Sequence, residues 1–507
     1  MHPILVAGQW RNAAAEGSFE AFDPTTGESL GDAYPVSGWE DCEQALAAAD
    51  AAAAATRGMS GEVFGGFLEA YAQRLEDAAP AICQMAARET ALPVSPRLAD
   101  VEMPRTTDQL RQAAAAAKSG SWRRPEWDAE RNIGSCFGPL GPVFVLGPNN
   151  FPLAFNPISG GDFASAIAAG NPVIAKSHPA HPGTTRLLAE QAAAAADESS
   201  LPAGFVQLLH GVSPQDGCRT VADPRTAALA FTGSRRGGLA LKAAADAAGK
   251  PAYLEMSGAN PVMLLPDALA ERGEELIAEV AGSCLLAAGQ FCTGPKLLGL
   301  LAGKGATDLI DALRADFAGR PPAVVLAESV VHGLGQAVSE LVAAGAELLA
   351  GGQPVSEPGF RCPPTLLSAS AEQVLANPEA FDVDLFGPAT LTVVASDETQ
   401  LLALAEKAPA SLAASIYSAA DGSEESLALE LMKRLRLRAG RLINDGMPTG
   451  VAVSPAMNHG GPYPSTGHPG FSAVGMPVSI HRFAKLDCYD RVRPDRLPDC
   501  LRAAAGV

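Results

Sequence analysis

From about residue 140 the chain alternates short apolar runs with Ala-rich segments of helical length. Val143-Phe144-Val145-Leu146, Pro172-Val173-Ile174-Ala175, Phe205-Val206-Gln207-Leu208-Leu209 and Ala227-Ala228-Leu229-Ala230-Phe231 are apolar at nearly every position, the pattern of strands buried on both faces. Between them lie stretches such as Thr185–Asp197, where Ala, Leu, Glu and Gln predict helix. Strand–helix–strand repetition predicts a parallel sheet covered on both sides. A second alternating block starts near Tyr253 with Leu254-Glu255-Met256, Pro261-Val262-Met263-Leu264-Leu265 and Leu297–Leu301, and runs to Leu442-Ile443-Asn444. The tracts Ala45–Ala55 and Ala113–Ala117 read as helices with small contact faces, because a linker would be richer in Gly, Ser or Pro. Residues 118–136 are polar and break the helical pattern, and the tail from Ser472 alternates again. These two pieces are expected to pair as an arm outside the main domains.

Length and charge narrow the classes. At roughly 100–200 residues per domain, 507 residues make two to four core-forming units. A net charge of −19 argues against nucleic acid and anionic membrane surfaces, which need clustered Lys and Arg. No apolar run approaches the ~18 residues of a membrane helix. The start, Met1-His2-Pro3-Ile4-Leu5-Val6-Ala7-Gly8, lacks the basic and apolar regions of a secretion signal. The nine cysteines are odd in number and show no Cys-x-x-Cys spacing, so neither a disulfide framework nor a metal site is expected. A cytoplasmic location fits these features. Phosphate-loop, zinc-protease, serine-hydrolase and strict Gly-x-Gly-x-x-Gly motifs are absent.

Three segments can carry chemistry. In Gly289-Gln290-Phe291-Cys292-Thr293-Gly294-Pro295 a helical stretch ends in glycine and a cysteine follows. A single cysteine is usually a small buried hydrophobe, and Cys284 is read that way. Cys292 has a second reading, a nucleophile beside a helix terminus whose N–H groups favour thiolate. Glu255, between Leu254 and Met256 at a strand end, is either a surface acid or a partly desolvated general base. Gly147-Pro148-Asn149-Asn150-Phe151-Pro152 follows a strand, where α/β proteins place ligands. An Asn side chain there either shapes a turn or donates to an oxyanion. Phe231-Thr232-Gly233-Ser234-Arg235-Arg236 opens a helix that can hold a pyrophosphate, and Ala175-Lys176-Ser177-His178-Pro179 ends a strand with a cation.

In their order, Pro148-Asn149-Asn150-Phe151-Pro152, Lys176, Phe231-Thr232-Gly233-Ser234, Leu254-Glu255, Gln290-Phe291-Cys292-Thr293 and Asp384-Leu385-Phe386-Gly387-Pro388 resemble the aldehyde dehydrogenase superfamily over nearly the whole chain. Arg105-Thr106-Thr107-Asp108-Gln109-Leu110-Arg111 and His459-Gly460-Gly461-Pro462-Tyr463-Pro464-Ser465-Thr466 are similar to the branch of α-ketoglutaric semialdehyde (2,5-dioxovalerate) and NADP-dependent fatty aldehyde dehydrogenases. The resemblance implies an α/β fold with a Rossmann-type cofactor domain (1–117 and 137–253), a catalytic α/β domain (254–447), a return segment (448–471) and a β oligomerisation arm with tail (118–136 and 472–507). The active site is expected between the first two domains, in a homodimer or homotetramer.

The implied chemistry is NAD(P)-dependent oxidation of an aldehyde to an acid through a cysteine thiohemiacetal and thioester. Cys292 is the implied nucleophile, Asn150 the oxyanion donor and Glu255 the base that activates water. Pro148, Lys176, His178, Gly233, Ser234, Asp384 and Phe386 are the implied cofactor contacts. Phe151, Phe155, Phe291, Thr293, Arg105 and Arg111 are expected along the substrate tunnel, the arginines facing a distal carboxylate.

Departures from the family pattern are Asn149 in place of an aromatic, Asp384 in place of Glu, and Ser257 in place of the first glycine after Glu255. Pro179 stands where NAD-preferring members often carry Glu, so NADP is the expected cofactor, with NAD the alternative. A CoA-acylating enzyme is opposed by Glu255, and a catalytically silent scaffold by the presence of Cys292, Glu255 and Asn150 together.

Overall fold

The computed structural model describes residues 1–506. The apolar runs become the centre of a seven-stranded sheet. Its order is Ala252–Met256, Ala228–Gly233, Val143–Leu146, Val173–Lys176, Val206–Leu209, Ile4–Val6 and Gln9–Arg11. The first five strands are parallel, and the last two join antiparallel. Side chains of one strand alternate between faces. Val143 and Val145 therefore enter one core with the helices Gly61–Asp77, Met103–Ser119 and Pro182–Glu198, and Phe144 enters another against Trp39–Ala55. Strand order reverses between Val143–Leu146 and Ala228–Gly233, which opens a crevice at their carboxyl ends.

The second block forms another seven-stranded sheet, ordered Glu347–Ala350, Thr365–Ser370, Ala389–Ala395, Leu297–Leu301, Val262–Leu264, Ser411–Tyr417 and Ala439–Asn444. Only the Glu347–Ala350 edge is antiparallel. A separate antiparallel sheet pairs Ile133–Pro139 with Ala484–Asp490 on one side and Glu126–Asp128 on the other. The tail does not join this sheet from Ser472, as expected from its alternation. Phe471, Ala473, Val474, Met476, Ile480 and Phe483 are buried in the core of the first sheet unit, and the strand begins only at Ala484.

The Ala tracts are helical. Ala45, Ala49 and Ala52 share one buried face of Trp39–Ala55. Ala113, Ala114, Ala116 and Ala117 are buried in Met103–Ser119, which packs on Gly61–Asp77. A Cβ at Gly61 would stand 2.0 Å from the Ala117 carbonyl oxygen, so these helices approach too closely for any side chain there.

The helix that follows Lys176 is anchored by a buried acid. Glu89, in the helix Ala79–Thr90, accepts from Gly183 N (2.7 Å), Thr184 N (2.8 Å) and Thr184 Oγ1 (2.6 Å) at the start of Pro182–Glu198. Burial raises its carboxyl from the ordinary 4.5 to about 7, against the opposing pull of those donors. Between these values the folded chain holds a proton that the unfolded chain has lost, so stability falls as pH rises through this window. Thermal midpoints measured from pH 4.5 to 7 should carry this downward contribution, and Glu89→Gln should remove it. An unchanged slope in the variant counts against the assignment.

Candidate functional site

Loops at the strand carboxyl ends meet between the two seven-stranded sheets. The Asn150 loop leaves Val143–Leu146, and Glu255 sits near the end of Ala252–Met256. Cys292 lies in a turn beyond the helix Pro266–Leu285 and the short 3₁₀ turn Leu286–Gly289. It therefore follows a helix carboxyl end, not an N-terminus that would stabilise thiolate, and this corrects the expected helix-terminus effect. Burial raises its thiol well above the ordinary value, and Glu255 raises it further. The Arg105 charge and the Thr293 N–H oppose them.

The Asn150 side chain is buried, and its Nδ2 donates to Gln290 O (2.8 Å), two residues before Cys292. Asn260 holds the same turn from the other side, its Nδ2 reaching Cys292 O (2.7 Å) and Gly294 O (3.0 Å). The sequence pattern did not single out Asn260.

Glu255 is 1% exposed, and neither carboxylate oxygen has a hydrogen-bond donor. The residue that faces it is His459. Its Nε2 lies 2.9 Å from Glu255 Oε1, without the alignment of a hydrogen bond, and 3.7 Å from Cys292 Sγ. The three reactive atoms fall within 4.8 Å of one another. His459 arrives because residues 459–468 pair against the strand end: Glu255 bridges to Thr466, and Met256 N donates to Ser465 O (2.8 Å). The sequence reading quoted this segment but gave His459 no role. Its local signal was only a histidine before two glycines.

Cys292 opens on a narrow cleft shared with Arg105, Phe151, Phe155, Phe291, Thr293 and His459. Phe151 meets Phe155 and Phe291 edge-on at 5.3 and 5.2 Å. Thr293 is buried, and its Oγ1 accepts from Gly450 N (3.3 Å). Arg105 spends Nη1 on Val451 O (2.6 Å), while its buried Nε has no partner.

Arg111, expected beside Arg105, lies elsewhere. Six residues further along the helix is about 240° round its axis. That turns Arg111 to an exposed groove lined by Met103, Pro104 and Thr107, where it pairs with Glu76.

Of the residues expected at the cofactor, Pro148, Lys176, His178, Gly233 and Ser234 end or follow strands at the carboxyl edge of the first sheet. The helix Arg235–Ala247 starts at Ser234, whose Oγ accepts from Gly237 N (3.3 Å). Its first N–H groups, at Arg235 and Arg236, have no acceptor within the helix and point as an anion cradle requires. A Cβ at Gly233 would stand 2.8 Å from the Phe231 ring, so the entrance to this helix is kept bare. Lys176 is half-buried, and burial pulls its ammonium down to about 8.

Nearby, Pro148 is buried, and its carbonyl accepts from His181 Nε2 (2.8 Å). His178 stacks on His181 at 5.4 Å, and its Nδ1 accepts from Ala180 N (3.1 Å). That bond leaves the proton of His178 on Nε2. Asp384 accepts from Ser257 Oγ, which places two of the three departures from the family pattern in contact. Phe386 packs, partly buried, on the second sheet's core. Arg235 joins the two sheet units through Asp382 (3.0 Å). These donors and bare glycines fit a dinucleotide.

The model of the Aldehyde dehydrogenase family matches residues 10–465. The chain is 35% identical to alpha-ketoglutaric semialdehyde dehydrogenase 2 of Azospirillum brasilense, over 98% of this chain and 96% of that one. It is 32% identical to alpha-ketoglutaric semialdehyde dehydrogenase of Acinetobacter baylyi, over 98% and 95%. Among solved structures, aldehyde dehydrogenase 21 from Physcomitrella patens, in complex with the reaction product succinate, superposes with a TM-score of 0.79 at 22% identity, covering 96% of this chain and 97% of that one. PnpE in complex with nicotinamide adenine dinucleotide gives 0.81 at 20%, covering 97% and 98%. The match over most of the length, on a doubly wound sheet with cysteine, asparagine and glutamate gathered at its edge, establishes that the chain belongs to the aldehyde dehydrogenase family and is a nicotinamide-dependent oxidoreductase.

Proposed function

We propose that the enzyme oxidises α-ketoglutaric semialdehyde (2,5-dioxovalerate) to the dicarboxylic acid, with NADP preferred to NAD, as a homo-oligomer in the cytoplasm. The observation that carries the substrate reading is Arg105: a half-buried guanidinium on the wall of the cleft that holds Cys292, its Nε unpartnered among the described residues. A guanidinium in that position suits a carboxylate at the far end of a short aldehyde. The two relatives named for this substrate support it.

In the mechanism, Cys292 attacks the aldehyde carbonyl, and His459, 3.7 Å from Sγ, is placed to receive the thiol proton. The Asn150 amide and the Cys292 N–H stabilise the oxyanion as charge develops. A bound nicotinamide would supply the hydride acceptor, and Cys292 would then hold the acyl group as a thioester. Glu255, whose carboxylate oxygens are free of donors, then takes a proton from the water that hydrolyses it. Lys176 would hold the adenosine ribose, the helix start at Ser234 the pyrophosphate, and Asp384 with Phe386 the nicotinamide end.

NADP preference rests on Pro179, which puts no carboxylate against a 2′-phosphate, and on the Nε2–H of His178, close to Lys176. Initial rates with both cofactors test it, with NADP expected at least about tenfold higher in kcat/KM, a difference of about 1.4 kcal/mol. A higher value for NAD overturns it.

The substrate reading is checked with a panel of acidic semialdehydes and neutral aldehydes. Arg105→Ala should lose about 10²-fold in kcat/KM on the acidic members, the order of a lost charged contact, and little on the neutral ones. Equal loss on both would remove Arg105 from recognition. Cys292→Ala should abolish turnover while retaining cofactor binding.

Glu255→Gln should leave a burst of one reduced cofactor per site and slow the steady state by about 10²-fold or more. Because Glu255 raises the Cys292 thiol, the same variant should alkylate faster with iodoacetamide at fixed pH. Slower alkylation would show that the carboxylate acts on the thiol in the opposite sense.

A further inference from the structure

The loop that carries Asn150 runs from the strand Val143–Leu146 to the helix Gly161–Ala168 with no ladder or helix to hold it. Asn150 through Ala154 are nevertheless buried. Buried backbone groups need partners, and here side chains supply them. Leu153 N and Ala154 N both donate to Oε1 of Glu102, at 2.8 and 3.0 Å. The Asn150 carbonyl accepts from Arg97 Nη2 at 3.2 Å. The other Glu102 oxygen takes Arg97 Nη1, which closes the two residues into one unit. Glu102 has no exposed surface. Its desolvation is opposed first by the Arg97 charge and then by the two N–H groups.

The same guanidinium lies 4.4 Å from the centre of the Phe151 ring and 5.9 Å from that of Phe291. It therefore touches the residue after Asn150 and the residue before Cys292.

We infer that Arg97 and Glu102 are positioning residues that clamp the Asn150 loop against the Cys292 turn and so aim the Asn150 amide at the developing oxyanion. The inference rests on the reading of Asn150 as the oxyanion donor. The clamp grips the Asn150 carbonyl itself and the N–H groups three and four residues on, and so fixes the backbone from which the side chain projects. The Asn150 Nδ2, which donates to Gln290 O at 2.8 Å, then stands at a defined distance from the nucleophile. Oxyanion donors act over a narrow range of distance, and a displacement of about 1 Å can cost about 10²-fold in rate. Glu102 and Arg97 never reach the substrate in this arrangement, so their effect passes through Asn150.

A double-mutant cycle separates this role from general scaffolding. Arg97→Lys and Glu102→Gln, each alone and each combined with Asn150→Ala, are compared by kcat, KM for aldehyde and thermal midpoint. Each single variant should lower kcat by about tenfold or more, with KM held within about twofold. In the Asn150→Ala background the same changes should lower kcat by less than about twofold, because the group they aim is gone. Equal factors in both backgrounds, or unchanged kcat in the single variants, would overturn the clamp. If Asn150→Ala alone keeps full kcat, the oxyanion reading fails instead. Arg97→Lys keeps the charge beside Glu102 and is the variant that decides the matter if Glu102→Gln does not fold.

Discussion

Catalytic loops can be buried only if every backbone group they take out of water finds a partner, and in this protein that requirement shapes the site. The Pro148 carbonyl is met by His181, that of Asn150 by Arg97, and that of Cys292 by Asn260. The N–H groups of Leu153 and Ala154 are met by Glu102. Lys296, fully buried, gives one ammonium to both Gly289 O and Gly387 O at 2.7 Å. An unanswered buried group costs about 1–3 kcal/mol. Seven such groups would match the 5–15 kcal/mol by which a domain is stable. The polar side chains around the site are thus part of what allows its loops to be there, and they fix those loops as they do so.

Lys296 shows how one such contact links two functions. Gly289 precedes the Cys292 turn, and Gly387 belongs to the segment that carries Asp384 and Phe386. Burial pulls the ammonium down to about 8, so it keeps its proton at neutral pH and can hold both carbonyls. The Cys292 turn and the Asp384–Phe386 loop are in this way tied by a single cation. Arg235 and Asp382 add a second tie, across the two sheet units, at the start of the helix Arg235–Ala247.

The sheets were legible in the sequence because strands buried on both faces leave continuous apolar runs, and Val143–Leu146, Val173–Lys176 and Leu297–Leu301 fall where those runs are. Asn150, Glu255 and Cys292 were legible as a spaced set of motifs. What the sequence did not carry were relations made by return of the chain. His459 reaches Glu255 only because Thr466 bridges back to a strand two hundred residues earlier. Glu102 looks like any helix-edge acid until the Asn150 loop folds over it. Arg105 and Arg111 shared one motif, yet helix periodicity sends them to opposite surroundings, one to the cleft and one to Glu76. The helix beside Cys292 was legible in existence but not in the end it presents, and that end decides its electrostatic sign.

The net charge of −19 is a separate question from the field at the cleft. Exposed charges are screened over about 8 Å at physiological ionic strength, so the acidic surface weighs little at a buried atom. Arg105 is felt through protein instead, where a unit charge at 4 Å is worth about 4 kcal/mol at an effective dielectric of 20. Burial lowers its pKa, yet a guanidinium is basic enough to keep its proton. Glu102 and Glu255 offset part of that charge, and Glu102 is already shared with Arg97. What remains is a cation on the wall of a narrow cleft. On the proposed reading, a carboxylate that enters regains there part of the hydration it leaves behind, which a neutral chain end does not need. Selectivity on that reading comes from the local cation and not from the sign of the surface outside.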